Sequence, residues 1–155
     1  MADPEIIDLE LKSGTVRIEL LPNVAPNHVQ RIKDLVREKF YDGLKFHRVI
    51  DGFMAQTGDP TGTGAGKSKK PNLAAEFSRE RHVRGTCSMA RSSDPNSANS
   101  QFFICLADAP WLDGQYSAWG RVISGMEHVD AIKKGSSGNN GTVSDPDQII
   151  HMTLP

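Results

Sequence analysis

The sequence predicts a mainly β protein, built as an antiparallel barrel or sandwich. It contains eight short runs that read as strands and only two stretches with helical periodicity. Many short strands with few helices are typical of all-β architectures. The 155 residues, 37% hydrophobic and 24% charged, suffice for a buried core, and no repeat or long linker divides them. We therefore expect a single domain over residues 1–155.

The first part of the chain reads as two strands followed by a helix. The strands cover 6–11 and 16–21 and are joined at residues 12–15. The second strand alternates apolar and polar residues, as a half-buried strand does. The helix begins near Pro26, since proline is tolerated in a first turn. Apolar residues spaced by three and four predict its buried face: Val29, Ile32, Leu35 and Val36.

A hairpin, a long loop and a second helix are predicted in the rest of the chain. Asp51-Gly52 lies between two apolar runs, which is a hairpin signal. Residues 58–75 are rich in glycine, lysine and proline and predict an irregular segment. The second helix is expected over 126–134, with Gly135 as its stop. The remaining strand-like runs cover 46–50, 54–57, 87–90, 101–106, 118–122 and 149–154.

Charge and composition argue against several classes of partner. A net charge of −1 gives no indication of nucleic acid or an anionic membrane. The acidic start has no apolar stretch behind it, unlike a signal peptide, and no run reaches transmembrane length. No CxxC or HExxH occurs and the five histidines are scattered, so we expect no metal and no cofactor. We expect a cytoplasmic monomer.

The two cysteines, Cys87 and Cys105, both lie in apolar, strand-like runs. In a reducing cytosol such residues are buried free thiols, and that is the interpretation we favour. A disulfide between neighbouring strands is the alternative.

Two motifs point to other chemistry but lack its context. Residues 62–68 resemble a phosphate-binding P-loop, yet Thr61 stands where that pattern needs glycine, and Pro71 prevents the helix that should follow. We therefore predict a flexible loop without nucleotide. His47 and Ser100 could belong to a hydrolytic triad, but the GxSxG elbow is missing.

Arg48 is the most informative candidate for a functional residue. The hairpin folds it back beside Phe53, Met54 and Gln56. A fixed cation, an amide and an apolar floor together suit a peptide group better than a sugar or a phosphate.

A second group of candidates follows residue 100. Strand alternation places Gln101 and Phe103 on one face, opposite Phe102. Taken alone, Phe103 would be ordinary core. Trp111 and Tyr116 lie in a turn-rich loop, where a tryptophan either fills the core or forms the wall of a binding site.

Four sequence runs carry a family resemblance: FHRVI (46–50), GFMAQTGD (52–59), SQFFI (100–104) and WLDG (111–114). In order and spacing they resemble the signature of the cyclophilins, a family of peptidyl-prolyl cis-trans isomerases. The resemblance covers nearly the whole chain. It implies a closed eight-stranded antiparallel β-barrel capped by two α-helices, with the active groove on the outer surface. The loop at 91–98 resembles that of the small bacterial cytoplasmic branch.

By position, the resemblance makes Arg48 the catalytic residue. It implies a pocket for the proline ring formed by Phe53, Met54, Phe103 and Leu112. It implies contacts to the peptide from Gln56 and Gln101, backbone contacts to the preceding residue from Ala90 and Arg91, and inhibitor contacts from Trp111. Two positions depart from the family pattern, which often has histidine at Tyr116 and asparagine at Arg91. Tyr116 can still wall the pocket, whereas Arg91 adds a charge at its rim.

The activity implied by the resemblance is rotation about X-Pro bonds, which assists protein folding and requires no nucleophile or metal. The implied partners are proline-containing peptides, unfolded or flexible protein segments, and cyclosporin-type inhibitors. A proline-peptide binding module or holdase that uses the same groove is the alternative function. An intact Arg48 favours the enzyme, because a pure binder has no need of that donor.

Overall fold

The computed structural model describes residues 5–136, 138 and 140–154. Within them the strands are β1 (Ile6–Leu11), β2 (Gly14–Leu20), β3 (Arg48–Ile50), β4 (Met54–Thr57), β5 (Thr86–Met89), β6 (Phe102–Cys105), β7 (Ala118–Ser124) and β8 (His151–Thr153). The helices are α1 (Pro26–Arg37) and α2 (Met126–Asp130), and one 3-10 turn covers Pro110–Leu112. None of these helices is long and apolar enough to cross a membrane.

All eight strands belong to one curled antiparallel sheet, in the order β3-β4-β6-β5-β7-β2-β1-β8. The predicted fold class is therefore confirmed, except that the curled sheet is not fully closed into a barrel. In the described part of the chain β3 and β8 share no ladder. The two ends of the sheet are joined by the isolated bridges Lys45↔Gln148 and Arg48↔Thr142 and by further backbone hydrogen bonds, such as that from the N–H of Gly43 to the carbonyl of Ile149 at 2.7 Å. Both end strands have three residues, so irregular chain fills the seam between them.

The concave side of the sheet holds the main core. Trp119 and Phe102 are fully buried and meet edge to face with ring centroids 5.4 Å apart, and Tyr41 packs on Phe102 in the same way at 5.3 Å. Helix α1 covers this side with the apolar face that the sequence predicts. Burial of these large aromatic rings stabilises the interior of the curled sheet.

Some element boundaries differ from the sequence prediction. Helix α2 ends at Asp130 rather than at residue 134. The backbone beyond it bonds elsewhere: Lys133 N–H donates to Asp147 Oδ2 at 2.9 Å, and Gly135 N–H donates to the carbonyl of Val49 at 2.8 Å. These tertiary hydrogen bonds replace the helical ones that the periodicity predicted.

The glycine-rich loop at 58–67 is organised around a buried carboxylate of its own. Asp59 Oδ1 accepts the N–H of Thr61 at 2.7 Å, and its Oδ2 accepts the N–H of Thr63 at 3.0 Å and that of Gly64. Burial alone would raise the pKa of Asp59, but these and other hydrogen bonds from the loop lower it to about 2. A side chain at Gly66 would overlap Asp59 Oδ1. The P-loop-like sequence thus wraps an internal anion, and no helix follows it.

The two cysteines are buried and free, as predicted. Cys87 lies opposite Ile104 on the inner face of the sheet, whereas Cys105 lies opposite Met54 on the outer face. Burial raises the pKa of the Cys105 thiol to about 12, so it stays protonated at neutral pH.

Candidate active site

A row of four side chains crosses the convex face of the sheet. The strand register places Arg48 opposite Gln56, Gln56 opposite Phe103, and Phe103 opposite Ser88. Because alternate residues of a strand point to opposite faces, this row is separate from the core residue Phe102. An arginine, an amide and an aromatic ring are therefore aligned across neighbouring strands outside the barrel.

Arg48 is held from two sides. Its Nη1 donates to Gln56 Oε1 at 3.2 Å, its Nε donates to the backbone carbonyl of Asn140 at 2.9 Å, and its Nη2 donates to Asn140 Oδ1 at 3.1 Å. Sequence reasoning missed Asn140, which is 92 positions away from Arg48 in a glycine-rich stretch. Only the fold brings the two together.

The hydrogen bonds continue from Gln56 to the glycine-rich loop. Gln56 Nε2 donates to Gln101 Oε1 at 2.9 Å, and Gln101 Nε2 donates to the carbonyls of Gly64 and Gly66, each at 2.9 Å. Both amides are therefore oriented, with the Gln56 oxygen facing Arg48. The chain of bonds ties the guanidinium to the loop that Asp59 organises.

Beside Arg48 lies a cleft of about 110 Å³ with an apolar floor. Its floor belongs to a second apolar cluster outside the barrel core, centred on Met54, Phe103 and Leu112, which are 2 to 7% exposed. The cleft has room for a single small ring. Its lining consists of Arg48, Phe53, Met54, Gln56, Ala90, Arg91, Phe103, Leu112 and Tyr116.

The structure thus places nine of the eleven predicted site residues around one cleft. The other two lie next to it. Gln101 is reached through Gln56, and Trp111 stands at the rim, 63% exposed, with its ring centroid 5.6 Å from that of Phe53. The side chain of Trp111 therefore does not fill the core. The hairpin turn that carries Phe53 has Gly52 at φ +73°, a conformation that favours glycine.

The two departures from the family pattern pack against each other. The guanidinium carbon of Arg91 lies 4.7 Å from the ring centroid of Tyr116, and that ring meets Phe103 edge to face at 5.7 Å. The N–H and carbonyl of Arg91 have no hydrogen-bond partner among the described residues. They are free to bind an extended peptide.

A buried Ser-His-Asp arrangement supports the cleft from behind. His82 Nδ1 lies 3.1 Å from Asp113 Oδ1, and His82 Nε2 lies 2.9 Å from Ser88 Oγ. Burial lowers the pKa of His82 despite the nearby Asp113, so the neutral ring donates to Asp113 and accepts from Ser88. Ser88 is 0% exposed and His82 1%, hence neither reaches a substrate as a nucleophile. The ring of His82 stacks on Phe103, which fixes the pocket wall.

Comparison with known proteins shows the family to which this chain belongs. The family model described as cyclophilin type peptidyl-prolyl cis-trans isomerase/CLD matches residues 6–154. The chain belongs to the cyclophilin-type peptidyl-prolyl cis-trans isomerases. One relative, a probable peptidyl-prolyl cis-trans isomerase of Brucella suis, is 55% identical over 165 residues, which cover 99% of this chain and 84% of that protein. The predicted family and enzyme class are confirmed.

Solved cyclophilin structures agree. The cyclophilin AquaCyp293 of Hirschia baltica superposes with a TM-score of 0.87 at 29% identity, covering 99% of this chain and 75% of that one. A cyclophilin type isomerase of Cryptosporidium parvum, crystallised in the presence of the dipeptide Ala-Pro, gives a TM-score of 0.89 at 28% identity. That match covers 97% of this chain and 99% of the other.

Buried histidines predict that this cyclophilin loses stability below neutral pH. Burial lowers the pKa of His28, His47 and His82 in the folded state, whereas the unfolded value is about 6.5. The unfolded chain therefore binds more protons as pH falls through 6.5, so the free energy of unfolding decreases over that range. We expect a lower thermal midpoint at pH 5 than at pH 7.5. An exposed control, His151→Gln, should keep the difference, and equal midpoints at the two pH values would contradict the prediction.

Proposed function

We propose that Arg48 performs the isomerisation by donating a hydrogen bond to the prolyl nitrogen as the X-Pro bond twists. The barrier to this rotation is amide resonance, about 18–20 kcal/mol. Twisting localises the lone pair on nitrogen, which becomes pyramidal and basic. A donor aimed at that atom stabilises the twisted state more than either planar state, and this difference accelerates rotation. No bond is broken, so no nucleophile is needed.

The fixed guanidinium is the observation that carries this proposal. An arginine side chain has five N–H donors and stays charged at any physiological pH. Three of the Arg48 donors are used on Gln56 and Asn140, which leaves two for a substrate. Because the group is already oriented beside the cleft, it needs little reorganisation when charge develops on the prolyl nitrogen.

The apolar floor of the cleft supplies the other half of the mechanism. We propose that Phe53, Met54, Phe103 and Leu112 hold the proline ring while the preceding carbonyl swings toward solvent. Gln56 and Gln101 would hold the peptide backbone, and the backbone groups of Ala90 and Arg91 would bind the preceding residue. Burial of a single ring is a small apolar contribution, so weak substrate binding is expected.

The proposed partners are proline-containing peptides and unfolded or flexible protein segments, with a role in protein folding. The dipeptide in the Cryptosporidium parvum crystals supports this substrate class. A cytoplasmic monomer that consists of one isomerase domain over residues 1–155 stays a prediction from sequence.

A proline-peptide binding module is the rival function, and exchange NMR on an Ala-Pro peptide separates the two. We expect the protein at micromolar concentration to accelerate cis-trans exchange of the peptide far above its spontaneous rate, which has time constants of tens to hundreds of seconds. Peptide shift changes without accelerated exchange would instead show a binder that keeps the groove but not the chemistry.

Trp111 predicts binding of cyclosporin-type inhibitors. Its ring is exposed at the rim of the cleft, where it can cover an apolar ligand that also fills the pocket. We expect Trp111→Ala to weaken cyclosporin binding by about 30-fold, on the scale of an aromatic hot spot. Phe77→Ala, an exposed aromatic that does not line the cleft, is the matched control. A calorimetric titration of the native protein with no binding at micromolar drug would show that Tyr116 or Arg91 overrides Trp111.

A further inference from the structure

A second, polar pocket of about 410 Å³ adjoins the proline cleft. The two cavities share Gln56, Ala90 and Arg91, so they form one continuous groove. The outer wall of the pocket comes from the glycine-rich loop, including Lys67, and from residues around Asn99. A peptide bound at the cleft has a path into this pocket along the backbone of Ala90 and Arg91.

The charged side chains that line the groove are all cationic. They are Arg48, Lys67 and Arg91, and no Asp or Glu lines either cavity. None of the three has a carboxylate within salt-bridge distance among the described residues. The whole chain carries a net charge of −1, so the positive groove is a local property of the site.

Neutral groups hold the two pocket cations in place. Arg91 donates from Nε and Nη2 to the carbonyl of Gln115, at 3.0 and 2.8 Å, and from Nη1 to the carbonyl of Ser92 at 2.9 Å. Lys67 Nζ donates to Asn72 Oδ1 at 3.3 Å. These carbonyl and amide oxygens orient the cations without neutralising them, and each cation keeps at least one unused donor.

The carboxylates closest in sequence to the pocket walls do not cancel this charge. Asp59 is 1% exposed beneath the glycine-rich loop, where backbone N–H groups surround it. Asp94 is exposed, and its Oδ1 accepts the N–H of Asn96 within its own loop. Neither lines the pocket, so a peptide in the groove meets Lys67 and Arg91 directly.

We infer that Arg91 and Lys67 give this groove a preference for substrates with Asp or Glu two residues before the proline. The inference rests on the proposed function, in which the residue before proline contacts the backbone of Ala90 and Arg91. The next residue toward the peptide N-terminus then enters the polar pocket. There a carboxylate is attracted by both cations, whereas a lysine is repelled.

The test compares end-blocked peptides Glu-Ala-Pro-Phe, Gln-Ala-Pro-Phe and Lys-Ala-Pro-Phe by exchange NMR and shift titration at low salt. We expect kcat/KM for the glutamate peptide to exceed that for the glutamine peptide about three- to tenfold, the scale of one or two partly exposed charge pairs. The lysine peptide should be the poorest of the three. The ratio should shrink at high salt, because exposed charges are screened.

Variants identify the residues responsible. The Arg91→Gln and Lys67→Gln changes combined should bring the glutamate-to-glutamine ratio close to one, whatever they do to the absolute rate. Lys69→Gln is the matched control, since Lys69 belongs to the same basic run but does not line the groove. It should keep the ratio.

The outcomes separate this inference from the proposed function. Equal acceleration of all three peptides overturns the charge preference and leaves the isomerase intact. If no peptide is accelerated, the proposed function fails, and equal dissociation constants in the shift titrations then decide against the charge preference as well.

Discussion

Replacing Arg48 with alanine is expected to lower kcat/KM for an Ala-Pro peptide by at least about 100-fold, the usual loss when one preorganised donor is removed. The thermal midpoint should change little, because Arg48 is only half-buried and lies outside the barrel core. The measurement is cis-trans exchange by NMR on native and variant protein side by side, with thermal unfolding of both.

Two further variants sharpen this test. Arg48→Lys keeps the charge but loses the planar fork that binds Gln56 and Asn140 together, so we expect it to remain severely impaired. Arg17→Ala removes an exposed arginine on β2 that pairs with Asp8, and it should be fully active. Near-native turnover in Arg48→Ala would refute the proposed mechanism.

Replacing Asp59 with alanine is expected to destabilise the protein by about 2–3 kcal/mol, because several backbone donors of the loop lose their buried acceptor. For a chain of this length that corresponds to a fall in the thermal midpoint of roughly 4–12 °C. The loop carbonyls of Gly64 and Gly66 also hold Gln101. KM should therefore rise more than kcat falls, since the bonds between Arg48 and Asn140 are untouched.

Asp59→Asn tests whether the carboxylate acts as an acceptor of hydrogen bonds. The single amide oxygen of asparagine can replace part of the acceptor capacity of the carboxylate. The free energy of unfolding of Asp59→Asn should therefore lie between those of the native protein and the alanine variant. Asp94→Ala removes an exposed loop carboxylate and serves as the control. An alanine variant of Asp59 with native stability and native KM would show that the loop holds its shape without the internal anion.

Local patterns were enough to predict most of the fold. The alternation in β6 placed Phe102 and Phe103 on opposite faces, and the structure assigns them to two different apolar clusters. Helix α1 begins at Pro26 and buries the apolar face that was predicted, because its apolar period and its proline act over a single turn or two. Where bonding was local, the sequence pattern was sufficient.

The rest depends on contacts between distant parts of the chain. Nothing near Asn140 indicates that both its backbone and its side chain bind Arg48. Likewise, the bounds of α2 depend on where the N–H groups of Lys133 and Gly135 find partners, which periodicity alone does not encode. The polar pocket is formed by the β4–β5 loop, the β5–β6 loop and Gln56 of β4, so its charge could be recognised only after folding had placed Lys67 and Arg91 in one pocket.

The unequal burial of the two tryptophans gives the protein two intrinsic fluorescence signals. Trp111 is 63% exposed beside the groove, whereas Trp119 is buried inside the barrel and is 0% exposed. Emission from Trp111 should lie at longer wavelength and be quenched by iodide, because its ring is exposed to water, and it should shift when a ligand covers the rim. Emission from Trp119 should change only when the barrel unfolds. Groove occupancy and unfolding can therefore be followed in one unlabelled sample, and Trp111→Phe isolates the second signal.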